Sequence, residues 1–141
     1  MKVQKSLRYN IKTKPIPQAR PRFYVRYHGL KGFVGAYDQD RSKSYKEFIA
    51  WHGRLKANEA GLLNPSQQPI ALEIIFQMGE KNGLNEYHTK RPDLDNLIKS
   101  VKDALTGIIW KDDSQIVKLR AEKRFGPEQV NIKVNFLEGK G

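Results

Sequence analysis

Asp93 and Asp95 stand two residues apart in RPDLDNL, and Asp112 and Asp113 stand side by side in WKDDSQ. Both acidic groups occur in a chain with 26 Lys and Arg against 15 Asp and Glu, a formal charge of +11. Carboxylates there oppose any polyanion that the rest of the chain attracts, so something must offset them. Hard oxygen ligands gathered at one point bind Mg²⁺, which bridges them to a phosphate, polarises a phosphodiester and activates water. Three or four carboxylates in two groups are enough for that chemistry. Lys99, one or two helical turns past the first pair, could then steady charge developing on phosphorus or on a leaving oxygen. Structural explanations compete. Acids in a first helical turn stabilise the dipole by about 0.3–1 kcal/mol, Asp93 can serve as an N-cap, and Asp95 with Lys99 is an ordinary i,i+4 pair.

The basic excess is lopsided. Residues 1–37 hold nine Lys or Arg and no acid, whereas the remainder is nearly balanced at 17 basic and 15 acidic side chains. Such a distribution, with a pI near 9.9, points to nucleic acid as the partner, the competing reading being a solvated basic face. Other chemistries lack support. The chain has no cysteine, which removes disulfides and thiolate metal sites and fits a reducing cytoplasm. No apolar run reaches membrane-spanning length, and MKVQKSLRYN has no hydrophobic signal core. His28, His52 and His88 show no metal spacing; His52 reads as packed, His28 and His88 as loop residues. Ser114 has no evident base, and Trp51 and Trp110 read as packing groups, Trp110 being placed to brace the Asp112-Asp113 turn.

The elements that must position these groups follow from periodicity. Leu7, Tyr9 and Ile11 alternate with polar residues and predict a strand. KPIPQARPRF, with its prolines, predicts a basic loop; Phe23–Tyr27 could resume a strand, and HGLKGFVGAY suggests a hairpin or loop. Tyr45, Phe48, Ile49, His52 and Leu55 have helical spacing over about 42–60, with Ser44 and Glu47 as a capping box and Gly61 as the stop. Ile70, Leu72, Ile74, Phe76 and Met78 predict a strand, and GEKNGLNEYHTKRP a polar loop. A second helix spans about 93–106, with Leu94, Leu97, Ile98, Val101, Ala104 and Leu105 as its stripe. Two closing strands contain Val117, Leu119, Ala121 and Val130, Ile132, Val134, Phe136, joined by a turn at FGPEQ. The order implies one α+β domain over residues 1–141, a single mixed β-sheet with two main helices packed on a face.

Reach constrains the site. Fourteen helical residues from Asp93 span roughly 20 Å, and six extended residues returning to Asp113 cover at most roughly 20 Å. A site within one subunit is only just possible, and one completed by a second subunit is equally reasonable.

RPDLDNLIKSVKDALTGIIWKDDSQI closely resembles the central motif of the RusA-type Holliday junction resolvases, endodeoxyribonucleases of bacteria and their prophages. The matching residues are Arg91, Asp93, Leu94, Asp95, Asn96, Leu97, Lys99, Asp103, Ala104, Leu105, Trp110, Asp112 and Asp113. PIPQARPRF and DQDRSKSYKEF also resemble the phage branch of that family, so the likeness covers most of the chain. It implies a cytoplasmic homodimer, without a small-molecule cofactor, that grips a four-way DNA junction and nicks two strands symmetrically. It implies that Asp93, Asp95 and Asp113 serve a Mg²⁺ site, that Asp112 orients Asp113 or shares the metal, and that Lys99 supports catalysis; Asp103 reads as structural. A twofold dimer suits a substrate with two cleavable strands. Arg20, Arg22 and Arg26, with Lys90 and Arg91 beside the metal, are the candidate phosphate contacts. Where some members carry a run of arginines, this chain has Arg91-Pro92, which shifts DNA contact toward the N-terminal segment. Phe23, Tyr24 and Tyr27 read as sheet-face aromatics or as stacking groups for unpaired bases. The other readings are a non-catalytic basic nucleic-acid-binding module, whose acids cap helices and form turns, and a nuclease acting on RNA or on other branched DNA.

Overall fold

The computed structural model describes residues 2–19, 36–80 and 86–139. Among these residues, four strands and two helices follow in order: β1 (Val3–Ile11), α1 (Ala36–Glu59), β2 (Ile70–Gly79), α2 (Leu94–Leu105), β3 (Ile116–Arg124) and β4 (Gly126–Leu137), with one 3₁₀ turn at Asp113–Gln115. The sheet order is β1-β4-β2-β3. β4 runs antiparallel to both β1 and β2, while β2 and β3 are parallel. A parallel pair needs a crossover, and α2 supplies it. The fold is therefore the expected α+β arrangement, one mixed sheet with two helices.

Alternation builds the core. Leu7, Tyr9 and Ile11 of β1, Ile70, Leu72, Ile74 and Phe76 of β2, and Val130, Ile132, Val134 and Phe136 of β4 are buried in one cluster with Leu97, Val101 and Leu105 of α2. The opposite sheet face is polar, with Glu73 3.6 Å from Lys133 and Asn131 bonded to Gln77.

Several expectations need correction or fall outside the described residues. The turn expected at FGPEQ is absent, and the two closing strands are not neighbours, since β2 lies beside each of them. Gly126-Pro127-Glu128-Gln129 belongs to β4 itself, and only Phe125 separates it from β3. Pro127 is tolerated because pairing with β1 begins only at Val130, so no β1 carbonyl waits for its missing N–H. The first helix starts by Ala36, so Ser44 and Glu47 lie in its interior and form no cap. Ser42 is buried and its hydroxyl accepts the Ala19 N–H at 3.3 Å.

The buried face of α1 also differs from the expected stripe. Tyr45 and Ile49 are buried with Ser42, Gly53 and Ala57, whereas Phe48, Trp51 and Leu55 are exposed. Gly53 explains the rotation. A Cβ there would stand 2.6 Å from Cδ2 of Leu105, so the missing side chain lets α1 and α2 approach. His52 is half-buried between the rings of Phe48 and Trp51, at 4.6 and 5.0 Å. At the end of α1, Gly61 adopts φ +75° and the Leu62 N–H reaches the Ala57 carbonyl at 2.9 Å, the expected stop. The strand suggested at Phe23–Tyr27 and most of HGLKGFVGAY lie outside the described residues.

On β3, Ala121 packs against the core, but Val117 and Leu119 are exposed at the sheet edge. No described helix is long and apolar enough to cross a membrane.

Candidate active site at the two ends of one helix

The N-terminus of α2 holds the first acidic pair. Asp93 is the N-cap residue in extended backbone, yet its side chain makes no capping hydrogen bond. Structural capping therefore does not account for its carboxylate, which is exposed. Asp95 is exposed in the first turn, with Oδ1 accepting the Asn96 N–H at 2.9 Å. Two long-range anchors hold this end. Lys123 of β3 extends its ammonium to the carbonyls of Lys90 and Pro92, each at 2.7 Å, and so fixes the approach to Asp93. Asn96 clamps the proline-rich segment: its Nδ2 donates to the Gln18 carbonyl at 2.9 Å, and the Gln18 N–H returns to the Asn96 carbonyl at 3.1 Å.

The second acidic pair sits at the other end. Thr106 caps the C-terminus of α2, and its hydroxyl lies 2.7 Å from the Lys102 carbonyl and 2.5 Å from Oδ1 of Asp113. Trp110, fully buried, donates its indole N–H to the same carboxylate oxygen at 3.3 Å, the bracing role expected of it. Asp112 is exposed; its carboxylate accepts the Ser114 hydroxyl at 2.7 Å, and its backbone N–H donates to Oε1 of Gln115 at 2.7 Å. Gln115 in turn donates to the carbonyls of Ser66 and Gln68, at 2.8 and 2.9 Å, which pins the turn to the segment preceding β2.

The fold thus places Asp93 and Asp95 at the start of α2 and Asp112 and Asp113 just past its end, and it does not gather the four carboxylates at one point. Beyond Asp95, α2 runs on to Leu105 before the chain turns toward Asp113, roughly 15 Å of axis. Among the described residues no group of three or more His, Asp or Glu side chains is gathered to hold a metal. Lys99 lies between the pairs on the exposed side of α2, with its ammonium 3.8 Å from the Asp103 carboxylate, so Asp103 has a structural partner.

The candidate phosphate contacts divide. Arg20, Arg22 and Arg26 lie outside the described residues. Lys90 is 3.8 Å from Glu80, and Arg91 lines a hollow beside Asp93. Sequence reasoning missed a groove of about 420 Å³ at the far end of α2, where Lys43, Lys46 and Arg54 of α1 face Asp103 and Thr106. Their spacing along α1 was the available signal. It also missed Thr106, Gln115 and Lys123, whose roles come from contacts across the fold.

A mixed sheet carrying paired aspartates at the ends of its crossover helix is the frame on which a model of the family Endodeoxyribonuclease RusA matches residues 12–135. The chain belongs to that family. It is 30% identical over 112 residues to the crossover junction endodeoxyribonuclease rusA of Lactococcus phage r1t, covering 77% of this chain and 82% of the relative. It is also 28% identical over 141 residues to the protein YqaN of Bacillus subtilis (strain 168), covering 94% of this chain and 96% of that one.

Proposed function

We propose that this endodeoxyribonuclease resolves four-way DNA junctions as a Mg²⁺-dependent homodimer, making paired symmetric nicks. The carrying observation is the placement of two aspartate pairs at opposite ends of α2. Among the described residues of one chain these carboxylates are not gathered at one point, and a twofold axis would let a second chain bring its Asp113 beside the N-terminal pair of the first. The family match and the named activity of the phage relative support junction cleavage.

The donor set suits Mg²⁺. Asp93 offers a carboxylate that no cap engages, Asp113 is oriented by Thr106 and Trp110, and all the donors are hard oxygens. Mg²⁺ held there would supply Lewis acidity toward the phosphodiester. Lys99, four residues past Asp95 on the exposed side of α2, brings a positive charge toward the phosphate. Arg91 and the Lys43-Lys46-Arg54 groove neutralise neighbouring phosphates and position the arms without reading sequence.

Two uncovered apolar surfaces fit the dimer. Phe48, Trp51 and Leu55 form one on α1, and Val117 and Leu119 form the other just beyond Asp113.

The test is cleavage of labelled four-way, forked and linear duplexes with and without Mg²⁺. Replacing even a group that supports a metal ligand costs about ten- to a hundredfold. Asp95→Asn and Asp113→Asn, which alter proposed ligands, should therefore lower junction cleavage by more than about a hundredfold while retaining junction binding. Wild-type cutting by either variant would remove that aspartate from the catalytic site, and absence of Mg²⁺-dependent cutting by the wild type would leave a binding module whose acids only shape helix ends and turns.

A further inference from the structure

We propose that the hollow between residues 14–17, the end of β2 and the N-terminus of α2 receives one unstacked deoxynucleotide, with His88 as its recognition group. Its assignment to a strand of the DNA substrate rests on the nuclease reading above. The cavity measures about 520 Å³, within the range of pockets that enclose a small organic ligand. Its lining has two characters. Lys14, Arg41 and Arg91 supply positive charge, while Ile16, Met78 and Pro92 supply an apolar wall. A bare phosphate would use only the cations; a nucleoside 5′-phosphate uses both, the base against the wall and the phosphate on the cations.

His88 makes the hollow more than a basic dent. The residue is only 6% exposed, yet it lines the cavity. Its backbone N–H is committed to the Lys123 carbonyl at 3.0 Å, and its ring packs at 5.0 Å against Phe125. Nδ1 of the ring is buried without a hydrogen-bond partner. Such an atom is rare in a folded protein, and a turn of the ring would offer an imidazole nitrogen to a base edge, donating or accepting according to its tautomer. Two acids also line the hollow. Glu80 is partly neutralised by Lys90 at 3.8 Å, and Asp93 is the proposed metal ligand, which places the nucleotide beside the reacting phosphate.

The test uses the full chain in EDTA, with ¹⁵N-labelled histidine followed by NMR during titration with each deoxynucleoside 5′-monophosphate. The His88 ring is identified by its proximity to Phe125. Saturable movement of the His88 ring signals is expected, with at least tenfold weaker affinity for inorganic phosphate and for the unphosphorylated deoxynucleosides. Arg41→Glu, an exposed change that leaves the core intact, should weaken the monophosphates at least tenfold and leave the deoxynucleosides unaffected. Equal response to inorganic phosphate, indifference to Arg41→Glu, or an unmoved His88 ring would overturn the proposal. Because no cleavage is involved, the two readings fail separately. Nucleotide binding by a chain that cuts no junction sinks only the nuclease reading, and normal cutting with an unmoved His88 ring sinks only this one.

Discussion

At Asp113 the chemistry of the proposed site depends on a neighbour that carries no charge. The Thr106 hydroxyl lies 2.5 Å from the carboxylate and also reaches the Lys102 carbonyl, so one hydroxyl links the last turn of α2 to the acid. Removing such a support loosens a ligand without deleting it. Thr106→Val should lower single-turnover junction cleavage by about ten- to a hundredfold, with junction affinity unchanged and Thr106→Ser restoring most of the loss. Loss of junction affinity in parallel with cleavage would assign Thr106 to folding instead. The aspartates themselves were legible in the sequence because acids in a strongly basic chain stand out by type. Thr106, Gln115 and Lys123 were not, since an ordinary Thr, Gln or Lys acquires its meaning only from the atom it meets across the fold.

Among the elements, period was a reliable guide and adjacency was not. The alternation in β1, β2 and β4 and the stripe of α2 marked those elements correctly, because each buries one face against the same core. The turn expected at FGPEQ failed because Gly126 to Gln129 already belong to β4; turn residues announce a change of direction without choosing the next neighbour. On α1 the largest apolar residues misled: the inward face is chosen by Gly53, whose lack of a side chain allows contact with Leu105. Gly53→Val should therefore destabilise the fold by about 2 kcal/mol through overpacking, seen as a lowered urea midpoint. An unchanged midpoint would show that Leu105 yields freely and that the close approach is not required.

For the whole molecule the decisive matter is how many chains make one site. If Asp95 of one protomer works with Asp113 of another, two inactive variants can rescue each other. Mixing Asp95→Asn with Asp113→Asn, after unfolding and refolding together, should restore nicking to roughly a quarter of wild type, because half of a random mixture is heterodimer and each heterodimer keeps one intact site. Sites built within single subunits predict no rescue at all. Trp51, 54% exposed on α1, supplies the companion measurement. Trp51→Glu should shift the protein toward monomer in sedimentation and lower cleavage with it.

The place of β4 has a consequence for how a cell makes this protein. β1 and β2 have no direct pairing with each other; both wait for β4, the last strand to be synthesised, to slot between them. By the same order of strands, a growing chain should hold its early strands unjoined until β4 has emerged. The described sheet therefore comes together only when β4 is available to join its two halves.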